Sequence, residues 1–483
     1  MRNALALLIG GLSLAGCATP MNVDCSPFRT DYAKAVPRSA TFAAIQTDVL
    51  PPGDGAKSAA EIEADTAAAY ANLVGLTLSD MPGLKQSGGG AVLALSGGGQ
   101  WGAFGAGYLK QLDSKNELPR FRMVTGVSTG ALQALFVGAA QAPGQDSGKV
   151  LGDLVTEYTI QDEDDVVHRG GYIGAVVRGS VAKLDPLRMK IEKALCSEVP
   201  VSPQTAEDCP LIKALGTEGA PVVLLGFVEA GSGEMQAVNV SAIARAAVSP
   251  EAEAKLTMTE AQQCITGGAL ASVAMPFFYQ QVQVTSDDPD PAKPGKADPE
   301  DAKVTYYDGG VRQSMFLFES IDALARAEAK LAQASGAAAA DPARQVYMIR
   351  NGPTVAKVDE KADGTRGAIP TAQRGYSLIV NQSEVTAIEA IRLRDDTAEM
   401  RVVTADGYDQ KFSDPRSQTG GSLICKKQEE DAMFEPGFMD CLQAFGRHKA
   451  KEGYGGRPGG WILLTPQSSG TTPETGRADP LVN

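Results

Sequence analysis

The chain has 483 residues, room for one large domain with additions or for two to three ordinary domains. Hydrophobic residues make up 43% of it, enough for a sizeable core. Its 58 acidic against 44 basic residues give a net charge of −14, which argues against a nucleic-acid partner and supplies no polybasic patch for anionic lipid.

Met1 to Pro20 reads as a targeting segment, with Arg2 as the positive start and Ala4 to Leu14 as an apolar stretch too short to span a bilayer. Its end, Leu14-Ala15-Gly16-Cys17, resembles the lipobox of bacterial lipoproteins. That resemblance implies removal of residues 1–16 and lipidation of Cys17. The protein would then be lipid-anchored in a bacterial cell envelope, at the periplasmic face of the outer membrane. The alternative is a plain secretory signal in which Cys17 is incidental. No other long apolar run follows. Residues 17–86 read as a tether and helical cover, with a helix expected around Thr66 to Leu73.

Ala91 to Leu135 is the most informative stretch. An apolar strand, Ala91 to Leu95, breaks into Ser96-Gly97-Gly98-Gly99, and a helix is expected from Gln100 to Asp113. A second strand, Phe121 to Thr125, breaks into Gly126-Val127-Ser128-Thr129-Gly130 and a further helix, Ala131 to Ala140. Such alternation predicts a parallel sheet covered by helices. G-x-S-x-G between strand and helix is a nucleophile elbow, in which Gly126 and Gly130 allow close packing and Ser128 stands at the tip of the turn. The first turn can be read in two ways. Gly97, Gly99 and Gly102 fit a dinucleotide fingerprint, but the next strand ends in Met123-Val124-Thr125 with no carboxylate for a ribose. The preferred reading makes Gly97, Gly98 and Gly99 backbone donors to an oxyanion.

Further on, Gln161 to Asp165 is an acidic loop without the glycine of a calcium site. Pro221 to Val228 reads as a buried strand that Glu234 to Val240 could pair with. A helix is expected over Thr257 to Ser272 and a strand over Gln280 to Val284. Ser286 to Ala302 is acidic and proline-rich, a surface loop. Lys303 to Tyr307 is a strand that delivers Asp308-Gly309-Gly310. Gln313 to Ala334 reads as helix, Gln345 to Arg350 as buried strand, Thr371 to Leu393 as helix, Met400 to Thr404 as strand and Met433 to Lys449 as helix. Six cysteines remain after Cys17. Cys196 with Cys209, and Cys425 with Cys441, could close local disulfides; buried free thiols are the alternative. With only His168 and His448 in the chain, no metal site is expected.

Three motifs in this order resemble the patatin-like phospholipases: the Gly97-Gly98-Gly99 loop, the elbow around Ser128, and Asp308-Gly309-Gly310. Ala271-Ser272-Val273-Ala274-Met275-Pro276 looks like that family's A-S-x-A-x-P segment, and Lys183 to Arg188 like a shortened D-x-x-P-L-R segment. The likeness covers about Gly90 to Gly352. It departs at Trp101, where the family usually has Arg or Lys. The resemblance implies a three-layer α/β/α fold with a mostly parallel central sheet. It implies a lipid acyl hydrolase of the phospholipase or lysophospholipase type, with a lipid ester as substrate and no cofactor. Ser128 would be the nucleophile, Asp308 the base, and the Gly97 to Gly99 N–H groups the oxyanion hole. Gly309 and Gly310 would let the strand end approach the elbow. The chain would divide into residues 1–16 (signal), 17–86 (cover), 87–355 (catalytic domain), 356–464 (a mostly helical extension) and 465–483 (a disordered tail). Two other readings stand beside it. One is an α/β-hydrolase with a Ser128, Asp308 and His448 triad, against which only one clear core strand precedes the elbow strand. The other is a non-catalytic envelope lipoprotein that uses the fold to bind acyl lipid or a partner.

Overall fold

The computed structural model describes residues 20–464 except 39, 50–55, 79–89, 171–179, 198–204, 250–254, 287–302, 337–343, 357–366, 394–396, 418–420, 431 and 453–457. The signal segment with Cys17, nearly all of the acidic loop before Lys303 and the C-terminal tail therefore lie outside the described residues.

Sixteen strands are described. They are β1 (Met21–Asp24), β2 (Ala33–Ala35), β3 (Ala91–Leu95), β4 (Phe121–Val127), β5 (His168–Arg169), β6 (Ser180–Lys183), β7 (Val222–Glu229) and β8 (Met235–Asn239). After these come β9 (Phe277–Tyr279), β10 (Val282–Thr285), β11 (Lys303–Asp308), β12 (Arg344–Ile349), β13 (Thr397–Val403), β14 (Phe412–Ser413), β15 (Ser422–Leu423) and β16 (Ile462–Leu464). Eleven form one sheet in the order β1-β10-β11-β7-β4-β3-β12-β13-β16, with β8 paired to β7 and β2 to β8. Its centre, β7-β4-β3-β12-β13, is parallel.

Buried parallel strands need apolar residues on both faces, and β3, β4 and β7 are buried at every position. Alternate residues feed two separate cores. Leu93, Leu95, Val124, Val223 and Leu225 enter one layer. Val92, Ala94, Met123, Val222 and Leu224 enter the other. Helices Gly102–Ser114, Thr129–Ala140 and Met258–Val273 supply the first layer, and Ala59–Gly75 and Leu317–Ser335 the second. This is the expected three-layer α/β/α arrangement around a mostly parallel sheet.

The register of β7 decides where the site forms. Along one edge it pairs continuously with β8, from Leu224 to Val228. Its other edge is shared: Val222–Gly226 pair in parallel with β4, and Phe227–Glu229 pair antiparallel with β11. Val127 stands opposite Gly226 and Asp308 opposite the next residue, Phe227. The carboxyl ends of β4 and β11 therefore meet head to head on one strand.

Two assignments change. Residues 17–86 are more than a tether and helical cover, because β1 and β2 add strands to the sheet. The extension after residue 356 is also part of the sheet, since β13 pairs with β12 and β16 with β13. Three disulfides are formed: Cys196–Cys209 and Cys425–Cys441 as the spacing allowed, and Cys25–Cys264, which spans 239 residues. The last fastens the segment after β1 to the helix Met258–Val273. Among the described residues, no helix is long and apolar enough to cross a membrane, and no group of three acidic, His or Cys side chains could hold a metal.

Candidate active site

The turn after β4 has the geometry of a nucleophile elbow. Ser128 sits at φ 55°, ψ −126°, a strained setting for a residue with a side chain, between β4 and the helix Thr129–Ala140. The turn is as tight as the glycines predict. A Cβ on Gly126 would lie 2.3 Å from the Gly130 carbonyl, and one on Gly130 would lie 2.2 Å from the Leu95 carbonyl. Ser128 is nearly buried.

The Gly97 to Gly99 loop lies against the elbow. A Cβ on Gly97 would touch the Ser128 Cβ at 3.2 Å. Gly98 and Gly99 have φ of 145° and 55°. The Gly97, Gly98 and Gly99 N–H groups make no hydrogen bond among the described residues. The loop is held from behind by a buried polar network that the sequence did not reveal. Asn351 donates from its Nδ2 to the Ser96 carbonyl (2.8 Å) and to Gln133 Oε1 (2.9 Å), and from its backbone N–H to the Ser96 hydroxyl (3.0 Å). Gln133 in turn donates to the Gly102 carbonyl at 2.7 Å. Both side chains are almost wholly buried. Such a network is rigid because each lost bond would strand a buried polar group.

Asp308 ends β11 and is 1% exposed. Its Oδ1 accepts the Gly310 N–H at 2.7 Å. Burial pushes the carboxyl up to about 7. The Ser128 hydroxyl and the Gly310 N–H act against that rise, and the buried Glu384 carboxyl adds to it. Asp308 Oδ2 has no hydrogen-bond partner among the described residues, although the Ser128 hydroxyl is near enough to pull against the rise in the carboxyl's pKa. Reactive pairs are often this loose before substrate binds. Around the carboxyl stand Tyr279 and Tyr376. Both phenols are raised first by burial and then by Asp308 itself. Glu384 is paired with Arg350 at 2.9 Å inside the protein.

The Ala271 to Pro276 segment fastens the two strand ends together. The Ser128 N–H donates to the Ser272 hydroxyl (2.9 Å), which donates to the Gly226 carbonyl (2.7 Å). Two residues on, the Ala274 carbonyl accepts the Asp308 N–H at 3.0 Å. One segment thus fixes both Ser128 and Asp308. Because the Ser128 N–H is occupied, it is the glycine loop that presents unpaired donors.

Ser128 and Gly99 open into an apolar cavity. Leu132, Leu135 and Phe136 of the elbow helix line it, with Leu187 and Ile191 of the helix Asp185–Leu195 opposite. The C-terminal extension contributes Phe434 and Met439. Its segment is pinned by the Glu435 N–H on Gln100 Oε1 (2.9 Å) and the Met433 N–H on Glu163 Oε1 (2.7 Å). Trp101, at the position where a basic residue was expected, lies edge-on to Tyr408 and Phe438 at 4.8 and 5.0 Å. It anchors the extension rather than carrying charge to the loop. His448 is on the helix Pro436–Glu452 with its ring against Phe412, and it neither lines the cavity nor acts on Asp308. His168 is exposed on β5.

Residues 93–173, which hold the glycine loop and the elbow, match the Patatin family, described as patatin-like phospholipase. This stretch of the chain is patatin-like. No curated protein matches it. Among solved structures it is similar to VipD from Legionella pneumophila, at 12% identity over 74% of this chain and 67% of that one, with a TM-score of 0.26. Asp308 lies beyond the matched residues. Its place beside the elbow rests on the pairing of β4 and β11 with β7.

Proposed function

We propose that this protein is a serine lipid acyl hydrolase of the phospholipase or lysophospholipase type, working through a Ser128–Asp308 dyad. The observation that carries this reading is the head-to-head meeting of β4 and β11. It sets a desolvated carboxyl beside a strained serine at the mouth of an apolar cavity. A carboxylate held near 7 is a far better base than an exposed one and is still about half ionised at neutral pH. Asp308 takes the proton as Ser128 Oγ bonds to the ester carbonyl carbon. The carbonyl oxygen becomes an oxyanion held by the Gly97, Gly98 and Gly99 N–H groups. The C–O bond to the alcohol then breaks, and Asp308 returns the proton to the leaving oxygen. Water, deprotonated by Asp308, cleaves the acyl-serine in the same way. The acyl chain occupies the apolar cavity.

A fluorophosphonate probe reports the central atom. It should label the wild-type protein on Ser128, and Ser128→Ala should not be labelled. Labelling that persists in Ser128→Ala would remove Ser128 as the nucleophile.

Anchoring belongs to the same proposal, and its support is the sequence Leu14-Ala15-Gly16-Cys17. A lipidated Cys17 would hold the enzyme at a bacterial envelope membrane, beside lipid esters. Cys17→Ser should then neither label with palmitate nor sediment with membranes. Palmitate labelling of that variant would exclude the anchor.

A further inference from the structure

The cavity has a defined far end. The elbow helix forms its floor, and Leu132, Leu135 and Phe136 follow Ser128 along one face. Phe136 is eight residues past Ser128, so it lies about 12 Å away at 1.5 Å per residue. There Phe136, Ala194 and Leu211 form a wall. The same three residues, with Glu157, also border a second cleft on the other side. That cleft is lined by Gln145, Asp146, Lys149 and Asp153, and its Lys149–Asp153 pair is solvent-exposed. Apolar space therefore ends at a partition one side chain thick, with charge and water beyond it. Phe136 and Leu211 are both buried. A Lys190–Glu157 ion pair braces the side of the cavity next to the wall, with Lys190 Nζ 3.1 Å from the carboxylate and 3.2 Å from the Glu157 carbonyl.

We propose that the substrate acyl chain lies along the elbow helix and that Phe136 and Leu211 stop it, making the enzyme selective for acyl chains of medium length. This inference rests on the acyl-hydrolase reading and adds the chain length. An extended chain advances about 3.5 Å per three bonds, so about 12 Å holds about ten carbons. A longer chain must either push its end into the polar cleft or leave methylenes in water at the mouth. A methylene that fits or fails to fit an apolar pocket changes kcat/KM by about tenfold or more.

The test is kcat/KM for p-nitrophenyl esters from butanoyl to hexadecanoyl, below their aggregation limits. The wild type should be best with octanoyl or decanoyl and fall by about tenfold or more at hexadecanoyl. Phe136→Ala, or Leu211→Ala if the first variant does not fold, opens the partition and should move the optimum to longer chains. Phe136→Trp should move it to shorter ones. A wild type equally active on decanoyl and hexadecanoyl esters would overturn the proposal. So would an unmoved optimum in a folded partition variant that still cleaves butanoyl ester. No hydrolysis of any ester by the wild type would overturn the hydrolase reading, and the chain-length inference with it.

Discussion

Near pH 8, the Asp308→Asn protein is expected to unfold at a higher temperature than the wild type while losing about 10²–10⁴ in ester hydrolysis. The two effects have one cause. Asp308 is buried, and its carboxyl is raised to about 7 in the folded protein. In the unfolded chain it returns to about 3.9. A carboxyl raised on folding favours the native state fully only below the unfolded value, and this contribution is lost as pH climbs through the folded one. Above about pH 7 the native state carries a desolvated charge that costs on the order of 4 kcal/mol relative to acid conditions. Asparagine keeps the oxygen that accepts the Gly310 N–H, removes the charge and cannot take a proton. Thermal unfolding should therefore separate the two proteins near pH 8 and bring them together near pH 4. Hydrolysis by the wild type should fall as pH drops below about 7, following protonation of the base. Equal melting temperatures near pH 8 would mean that Asp308 is not held in the enclosed site described here.

The second large effect belongs to the glycine loop. Gly98 has φ 145°, and a Cβ there would stand 2.0 Å from the Asn351 carbonyl oxygen. That carbonyl cannot retreat, because Asn351 is bound to Ser96 and Gln133. Gly98→Ala must therefore displace the loop and its donors. The loss of one oxyanion donor costs about 10²–10³ in turnover. Gly99 is the internal control. Its φ of 55° is open to other residues at some strain, and a Cβ there meets nothing within 4 Å. Gly99→Ala should keep more activity than Gly98→Ala, with far-UV circular dichroism showing both folded. The reverse order would mean that the loop is not held through Asn351.

The central strands and both turns were legible in the sequence for a physical reason. A strand buried on both faces must be an apolar run, and a turn where an added Cβ would stand 2–3 Å from neighbouring backbone must be glycine. Asp308 was legible only through its resemblance, since Asp-Gly-Gly alone reads as a turn. What placed it next to Ser128 is the shared edge of β7, and no local pattern encodes a shared edge. Ser272 and Ala274 were noticed as a motif, yet their role in fastening Ser128 and Asp308 needed the structure. Asn351 and Gln133 gave no signal: one sits in an Asn-Gly-Pro that looks like a turn, the other in an apolar helix. β1 and β2 are too short for a periodic signal, and Cys25 and Cys264 lie too far apart in sequence to be paired by spacing. Phe434 and Met439 read as part of a mostly helical extension, and only the fold carries them to the cavity.

Ester hydrolysis by four purified proteins of verified fold tests the Ser–Asp dyad most directly: wild type, Ser128→Ala, Asp308→Asn and His448→Ala. The Ser128 hydroxyl acts on the buried Asp308 carboxyl, and the His448 ring lies against Phe412. Ser128→Ala and Asp308→Asn should lose hydrolysis to a similar depth, and His448→Ala should keep most of it. A well-folded His448→Ala that loses several orders of magnitude, as triad enzymes do when their histidine is removed, would contradict the dyad.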